Sequence, residues 1–527
     1  MRAGPAAALV VVAMLAAVAA GAAEPSYFPL LGRAYDAVLD ARFDDVEPAL
    51  AEACGPAPPE ACDLVRASAV WWRIQLDPFD KSRDAEFERR VDAVIAATTR
   101  WAEREPRRAE ARFFLGAAYG ARVQWRVLRG ERLAAARDGK RIKENLERAL
   151  ALDPSLRDAY FGIGMYRYYA DLVPTVLKFF RWLLFLPGGD RERGLAEMQK
   201  AREEGTLLRG ETDFQLHLVY IWYENRVDEA LALLDDLRGR YPHNPLFVQA
   251  AAEIHEVYRH DRPASLDTWR RLLNLARAGR VALPAASEAR ARVGIAEALD
   301  ALHETDYAIE QLRLVTGAAP RAPYGIAARA WLQLGVAQDR LGAREAAVTA
   351  YRAALAAAPR DDPERVRPRA TEALRRRPDP RGTEAERVSL EGWRQLQRGE
   401  VAQAAASLGR AEALRPADPV LRYRIGRLHL AQGRPDEALA AFERVIASRP
   451  PAPPVALAAS LLEAARLVEP RGDRARALDL YRRAAAVRGG DGDTRRAATR
   501  ALSRMQGKSG GQWPAGGGRR EAGGPVQ

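Results

Sequence analysis

Residues 328–359 read ARAWLQLGVAQDRLGAREAAVTAYRAALAAAP, and the spacing within them decides the fold. Trp331, Leu334 and Gly335 are followed by Ala347, Tyr351, Ala354 and Pro359. Residues 385–416 repeat the arrangement with Gly392, Ala404, Leu408, Ala411 and Pro416. Residues 419–450 do so again with Ile425, Gly426, Ala438, Phe442, Val445 and Pro450. The interval from glycine to closing proline is 24 residues in all three, and Gly392 to Gly426 is 34. Agreement at several fixed positions in three copies is not chance, and such self-similarity is read before any single motif.

The residue types fit a helix–turn–helix unit. Glycine and alanine lie where the two helices of a pair approach closely, and Tyr351 or Phe442 is expected to fill the gap against the next repeat. The proline has no N–H to donate and stops the second helix. One such hairpin cannot bury its apolar face, but stacked neighbours can. The chain is 48% apolar and rich in Ala, Leu, Arg and Glu, a helix-favouring composition. The expected fold is all-α, an α-α superhelix of antiparallel hairpins. These positions resemble the tetratricopeptide repeat family, which implies a solenoid with a concave binding face and no catalytic machinery.

Weaker copies extend upstream. Phe214, Ala230, Leu234, Leu237 and Pro242 keep the spacing, and Gly294, Ala308, Leu312, Val315 and Pro320 keep it with about two extra residues. The chain therefore divides into an N-terminal helical cap (23–108), an irregular solenoid with extended hairpins (109–359) and C-terminal repeats (385–487). Between the last two, the proline- and arginine-rich 360–384 breaks the period. It is expected at the surface with at most one short helix, either dividing the solenoid or carried within a continuous stack. The Gly-rich 506–527 lacks a burial pattern and is expected to be disordered.

The N-terminus reads as an export signal. Arg2 precedes the apolar run Leu9–Val18, and the small residues Ala20 to Ala23 follow, so residues 1–22 are expected to be removed on export to the periplasm. The run is shorter than the roughly 20 residues that span a bilayer, and no transmembrane segment is expected in the mature chain. Cys54 and Cys62 are the two cysteines; they form either a small disulfide or two buried thiols. The formal charge of +12 comes from arginine interleaved with Asp and Glu along the whole chain, the pattern of solvated helix faces. No nucleic acid partner is expected, and an envelope surface is the more available anionic contact.

Residues 160–195 stand apart. A Tyr- and Gly-rich helix leads into VPTVLKFFRWLLFLP (173–187), which is too short and too charged to span a membrane. A packed core helix over 173–186 is the expected reading, ahead of an open apolar groove or a helix lying on a membrane. Gly188, Gly189, Asp190 and Arg191 follow as a specialised loop. A helix cap at Asp190 and a salt bridge explain this loop without a ligand, since the phosphate-loop pattern with its terminal Lys and Ser/Thr is missing. The stretch Leu183–Leu195 also resembles repeat proteins of the Iml2/TTC39 type, and the whole chain is similar to exported bacterial repeat proteins without assigned activity. The first likeness implies a specialised long hairpin, not a lipid function.

No chemistry-bearing constellation emerges. His255 and His260 in HEVYRH are five apart, whereas a helical zinc pair needs four, so helix-surface or capping contacts are expected of them. His217 lies among aromatic residues and is expected to be half-buried. No catalytic residue, cofactor or metal is assigned. Binding is the expected function, of a protein or peptide along the concave face. Tyr220, Trp222, Tyr223 and Asn225 form one candidate patch, and Arg329 and Arg424 are candidate basic contacts. A lipid- or polysaccharide-associated adaptor using 160–186 is the alternative.

Overall fold

Three hairpins are each set by a glycine and the large residue sixteen positions later. A β-carbon at Gly335 would lie 2.5 Å from the Tyr351 ring, one at Gly392 2.8 Å from Leu408, and one at Gly426 2.5 Å from the Phe442 ring. The large side chain of the second helix thus enters a notch in the first helix of its own hairpin. The notch adds to the expected packing against the next repeat, because Phe442 also clusters with Leu461 and Leu462, and Tyr351 with Val366 and Ala370. Gly335→Ala is expected to cost about 2 kcal/mol through forced displacement of Tyr351. Urea unfolding will show this, and the cost will shrink in a Tyr351→Ala background; equal costs in both backgrounds would refute the notch.

The computed structural model describes residues 25–172 and 189–506, and all of its regular elements are helices. The leader-like 1–22, the apolar 173–186, Gly188 and nearly all of the 506–527 tail lie outside the described residues. The hairpins run in order from Phe28–Leu39 with Val46–Ala53, Pro59–Leu76 with Asp84–Arg104, and Ala109–Leu128 with Arg132–Leu152. Ala159–Asp171 packs on Arg191–Glu204, Arg209–Val219 on Val227–Arg240, and Pro245–Val257 on Arg262–Arg277. Pro284–Ala301 with Thr305–Ala318 and Ile326–Arg340 with Arg344–Ala357 precede the insertion. Pro380–Gln397 with Val401–Leu414, Pro419–Ala431 with Pro435–Ile446, and Pro454–Val468 with Arg474–Ala486 follow it, and Gly492–Met505 closes the stack. Several first helices begin on a side-chain cap followed by proline: Asn244, Asp379 and Asp418 each accept backbone N–H groups of the next turn.

Residues 25–104 are built as hairpins like the rest, and their first helix reaches far along the chain. Tyr35 Oη and Trp72 Nε1 donate to Glu211 Oε2 at 2.9 and 3.2 Å, and Tyr241 Oη donates to Asp36 at 2.7 Å. Asn244 Nδ2 donates to the Leu39 carbonyl at 2.7 Å. The superhelix therefore turns tightly enough for its start to fill its own interior. Further along, the Tyr324 N–H donates to Asp77 at 2.8 Å, and Arg495 lies 3.9 Å from Asp261.

Residues 360–384 hold one short helix, Val366–Arg375, and end in the first turn of the next, Pro380–Gln397. The segment is not wholly superficial. Val366 and Ala370 are buried with Tyr351, Ala354 and Leu332, so the apolar core passes through the insertion. Beyond it, Arg394 pairs with Asp306 and Glu304, and Arg424 donates to the His303 carbonyl, which ties the later repeats to the earlier ones. Cys54 and Cys62 are joined, with Cα atoms 6.1 Å apart. Among the described residues no helix is long and apolar enough to cross a membrane.

Candidate functional site: the inner face of three successive hairpins

Three consecutive first helices, Pro245–Val257, Pro284–Ala301 and Ile326–Arg340, place polar side chains in one row that crosses repeat boundaries. Gln249 Nε2 donates to Glu253 at 3.0 Å on the first. On the second and third, Arg329 holds Glu297 through Nε and Nη2 at 2.9 and 2.7 Å, and Gln333 Nε2 donates to the same carboxylate at 2.9 Å. Helical spacing explains the shared face, since Arg290 and Glu297 are two turns apart and Arg329 and Gln333 one turn. Solvent reaches Glu253, yet burial by the surrounding protein raises its carboxyl pKa. Arg290 and Arg329 offset part of that effect, so Glu253 shares one wall with these two arginines. A narrow cleft of about 20 Å³ at Gln249, Arg290, Leu76 and Pro323 marks where this wall meets the first turn of the superhelix.

The arginines of this face are not free. Arg329 Nη1 lies 3.2 Å from Glu364, and Arg290 Nη1 lies 3.8 Å from the same carboxylate. Burial opposes the charge of Arg329, but Glu297 and Glu364 together hold its pKa above the ordinary arginine value. With Glu253, Glu297 and Glu364 against Arg290 and Arg329, carboxylates exceed guanidinium groups by one.

The other sequence candidates separate. Arg424 is only 3% exposed and donates to Ser389 Oγ at 2.8 Å as well as to the His303 carbonyl. It belongs to the interior, where its length bridges hairpins. Tyr220 is buried, with its Oη within 3.2 Å of Gln199 Nε2 and Arg226 over its ring. Trp222 is 57% exposed and Tyr223 41%, carried on a π-helical turn, Tyr220–Glu224, that widens the end of the first helix. Tyr223 packs edge-on against Tyr168 and Tyr169, and Asn225 ends the turn in the left-handed conformation.

In the specialised loop, Asp190 caps the next helix through the Arg193 N–H at 3.0 Å. Arg191 pairs with Glu224 at 2.9 Å and lies over the Tyr168 ring. A β-carbon at Gly189 would lie 2.0 Å from the Asp171 nitrogen, so this position serves close packing. Gly188 lies outside the described residues. Asp190, Arg191 and Gly189 thus all make contacts within the fold.

His217 corrects its half-buried expectation: it is 2% exposed, because the Phe214, Phe247 and Trp72 cluster closes over this helix. His255 lies on a helix, and His260 takes a left-handed backbone beyond its end. Among the described residues no group of three or more His, Cys, Asp or Glu side chains could hold a metal ion.

Sequence reasoning reached Arg329 but missed Arg290, Glu253, Glu297 and Glu364. The helical spacing of Arg290 and Glu297 was a usable signal. Nothing local in the sequence connects Glu364, in the insertion, to either arginine.

Two tetratricopeptide-repeat family models match the chain, over residues 328–361 and 395–462. No curated protein matches it. Among solved structures it is similar to a tetratricopeptide repeat protein from Parabacteroides merdae, at 14% identity over 56% of this chain and 98% of that one, with a TM-score of 0.26. It is similar to yeast Tom70 at 13% identity over 83% and 96%, TM-score 0.25. It is also similar to the TPR2AB domain of yeast Sti1 in complex with pHSP90, at 16% identity over 50% and 97%, TM-score 0.20. At these TM-scores the superpositions carry no argument about partners. Tetratricopeptide-repeat scaffolds are non-catalytic, and the family generally mediates protein–protein interaction. The notches at Gly335 and Gly426 fall within the two matched stretches, so residues 328–361 and 395–462 carry tetratricopeptide-repeat units, with only distant similarity to the solved structures.

Proposed function

We propose that the chain is an exported, envelope-associated scaffold that grips an extended segment of a partner protein along the row from Gln249 to Gln333. The observation that carries this is that Arg329 and Gln333 reach across one repeat boundary to Glu297, while Glu253 and Arg290 face each other's charge across the boundary before it. A solenoid surface of this kind suits a ligand that lies along several repeats. The periplasmic setting draws support from the leader-like residues 1–22 and from the Cys54–Cys62 bond, which an oxidising compartment preserves. A photocrosslinking side chain placed at Gln249 or Gln333, in the cells that make the protein, is expected to yield a discrete protein adduct. The same group at Arg352, exposed on a second helix, is expected to yield none. Identical adducts from both faces would sink the reading.

One observation favours the lipid-adaptor alternative. Exposed Trp222 and Tyr223 are followed at the end of the next hairpin's first helix by exposed Val257 and Tyr258, which gives one edge of the stack an aromatic and apolar rim. The arginines beside this rim pair with the chain's own carboxylates, Arg226 with Glu229 and Arg259 with Asp228, which leaves less charge for anionic headgroups. The protein scaffold is therefore preferred.

A further inference from the structure

We propose that the loop at 358–365 is an internal occupant of the concave face, and that a carboxylate-bearing segment of the partner competes with Glu364 for Arg290 and Arg329. This rests on the scaffold reading and specifies its partner chemistry. The loop leaves the Arg344–Ala357 helix and drops Glu364 between arginines of two neighbouring first helices, 3.2 Å from Arg329 and 3.8 Å from Arg290. That position, between repeats and on the inner face, is where a side chain of a bound extended segment would lie.

The loop is held by ties that are independent of those arginines. Asp361 accepts from Lys81 Nζ and from Tyr324 Oη, each at 2.9 Å, so the strap is anchored to the first turn of the superhelix. Asp362 accepts the backbone N–H groups of Val366 and Arg367 at 2.8 and 2.9 Å. Two non-glycine residues, Asp362 and Arg365, have positive φ, at 40° and 54°. Such a backbone is disfavoured and persists because surrounding contacts impose it. The Lys81–Asp361 pair is surface-exposed, the kind of ion pair that contributes little and weakens with salt. A strained strap held partly by an exposed ion pair is displaceable.

Removing Glu364 takes away the face's excess of carboxylate, leaving Glu253 and Glu297 against Arg290 and Arg329, and it frees the place between the two guanidinium groups. The vacated site then suits a carboxylate, and arginine binds that group with directed, charge-assisted hydrogen bonds. In the strapped state the same face repels acidic chains, because its carboxylates are in excess.

The test uses the full chain and a fluorescent N-acetyl hexaglutamate peptide, with hexalysine as the charge control. Glu364→Gln is expected to tighten hexaglutamate binding about tenfold. Asp361→Asn, which frees the strap without touching the arginines, is expected to tighten it several-fold. Arg290→Ala added to Glu364→Gln is expected to abolish the gain. Circular dichroism checks that each variant keeps its helicity. Unchanged hexaglutamate affinity in both strap variants, or an equal gain for hexalysine, would overturn the proposal. If crosslinking from Gln249 and Gln333 still captures a partner while neither strap variant alters that capture, the scaffold stands and the internal occupant falls.

Discussion

Glu211→Ala is expected to destabilise the protein by about 4 kcal/mol, far beyond an ordinary surface change. Glu211 is 3% exposed, and its carboxylate gathers side chains from four helices. Oε2 accepts from Tyr35 Oη and Trp72 Nε1, and Oε1 from Gln124 and Gln215 Nε2 at 3.2 Å each. Truncation leaves buried donors without an acceptor and opens a void. The Gln215–Gln124 bond at 2.8 Å survives and recovers part of the loss. The damage is long-range, since Tyr35 and Trp72 belong to the first two hairpins and Glu211 to the fifth. Urea unfolding should therefore show the N-terminal hairpins loosening first, with early exposure of Trp71 and Trp72. Glu211→Gln keeps one acceptor and the shape, and it is expected to stay within about 1 kcal/mol of the native protein. Burial raises the Glu211 pKa above its unfolded value. The favourable contribution of its protonated form is therefore complete below the unfolded value and lost as pH rises through the folded one, so the balance shifts toward Gln with rising pH. A loss below about 1 kcal/mol for Glu211→Ala would show that the hub does not hold the first turn.

That hub marks the limit of what the sequence discloses. The repeat at 328–450 is legible because its code is local: a glycine, a large residue sixteen positions on, and a stop. The Cys54–Cys62 bond is legible for the same reason, with two cysteines in one short turn-rich segment. Tyr35, Trp72 and Glu211 meet only after the superhelix has completed a turn, and no periodicity ties residue 35 to residue 211. The candidate site fails in the same way. Arg329 is recognisable as a basic residue on a first helix, but its neutralisation depends on Glu364, which reads in sequence as part of a solvated linker. Arg424 shows the converse error, because a charged residue at a first-helix position is normally solvated. Here the later hairpins press close enough to the 302–306 turn that its guanidinium finds Ser389 and a backbone carbonyl inside the stack.

The aromatic rim at Trp222 and the strap at Glu364 are also separate devices, and this bears on regulation. Asp361 anchors the strap to Lys81, on the turn after the Pro59–Leu76 helix, whereas Glu211 fixes that same helix from within through Trp72. The first turn of the superhelix is therefore both part of the core and the abutment of the strap. Loosening it through Glu211→Ala should also release Glu364, whereas Asp361→Asn should free the strap and leave the core intact. Stability and partner access are thereby expected to move together in the first variant and apart in the second.

Acid should weaken the native state through His217 by about 3 kcal/mol between pH 7 and pH 4. The ring is enclosed beside Phe214, with centroids 4.9 Å apart, and Nδ1 meets the Phe214 carbonyl. Burial lowers its pKa to about 4, and the hydrogen bond to Phe214 offsets only part of that. The sign follows from the direction of the shift. Unfolded histidine takes up a proton near pH 6.5, and the folded ring resists until about pH 4. Its contribution is therefore intact above pH 6.5 and drains away as pH falls toward the folded value. His217→Gln removes the titration while retaining a polar side chain that can donate to Phe214. Urea unfolding of both proteins at pH 7 and pH 4 isolates the effect from the many carboxylates that titrate alike in each. The native protein is expected to lose about 3 kcal/mol more than the variant over this interval. Parallel losses would mean that the ring takes its proton without leaving the core, and that the aromatic cluster around Trp72 is less closed than its packing indicates.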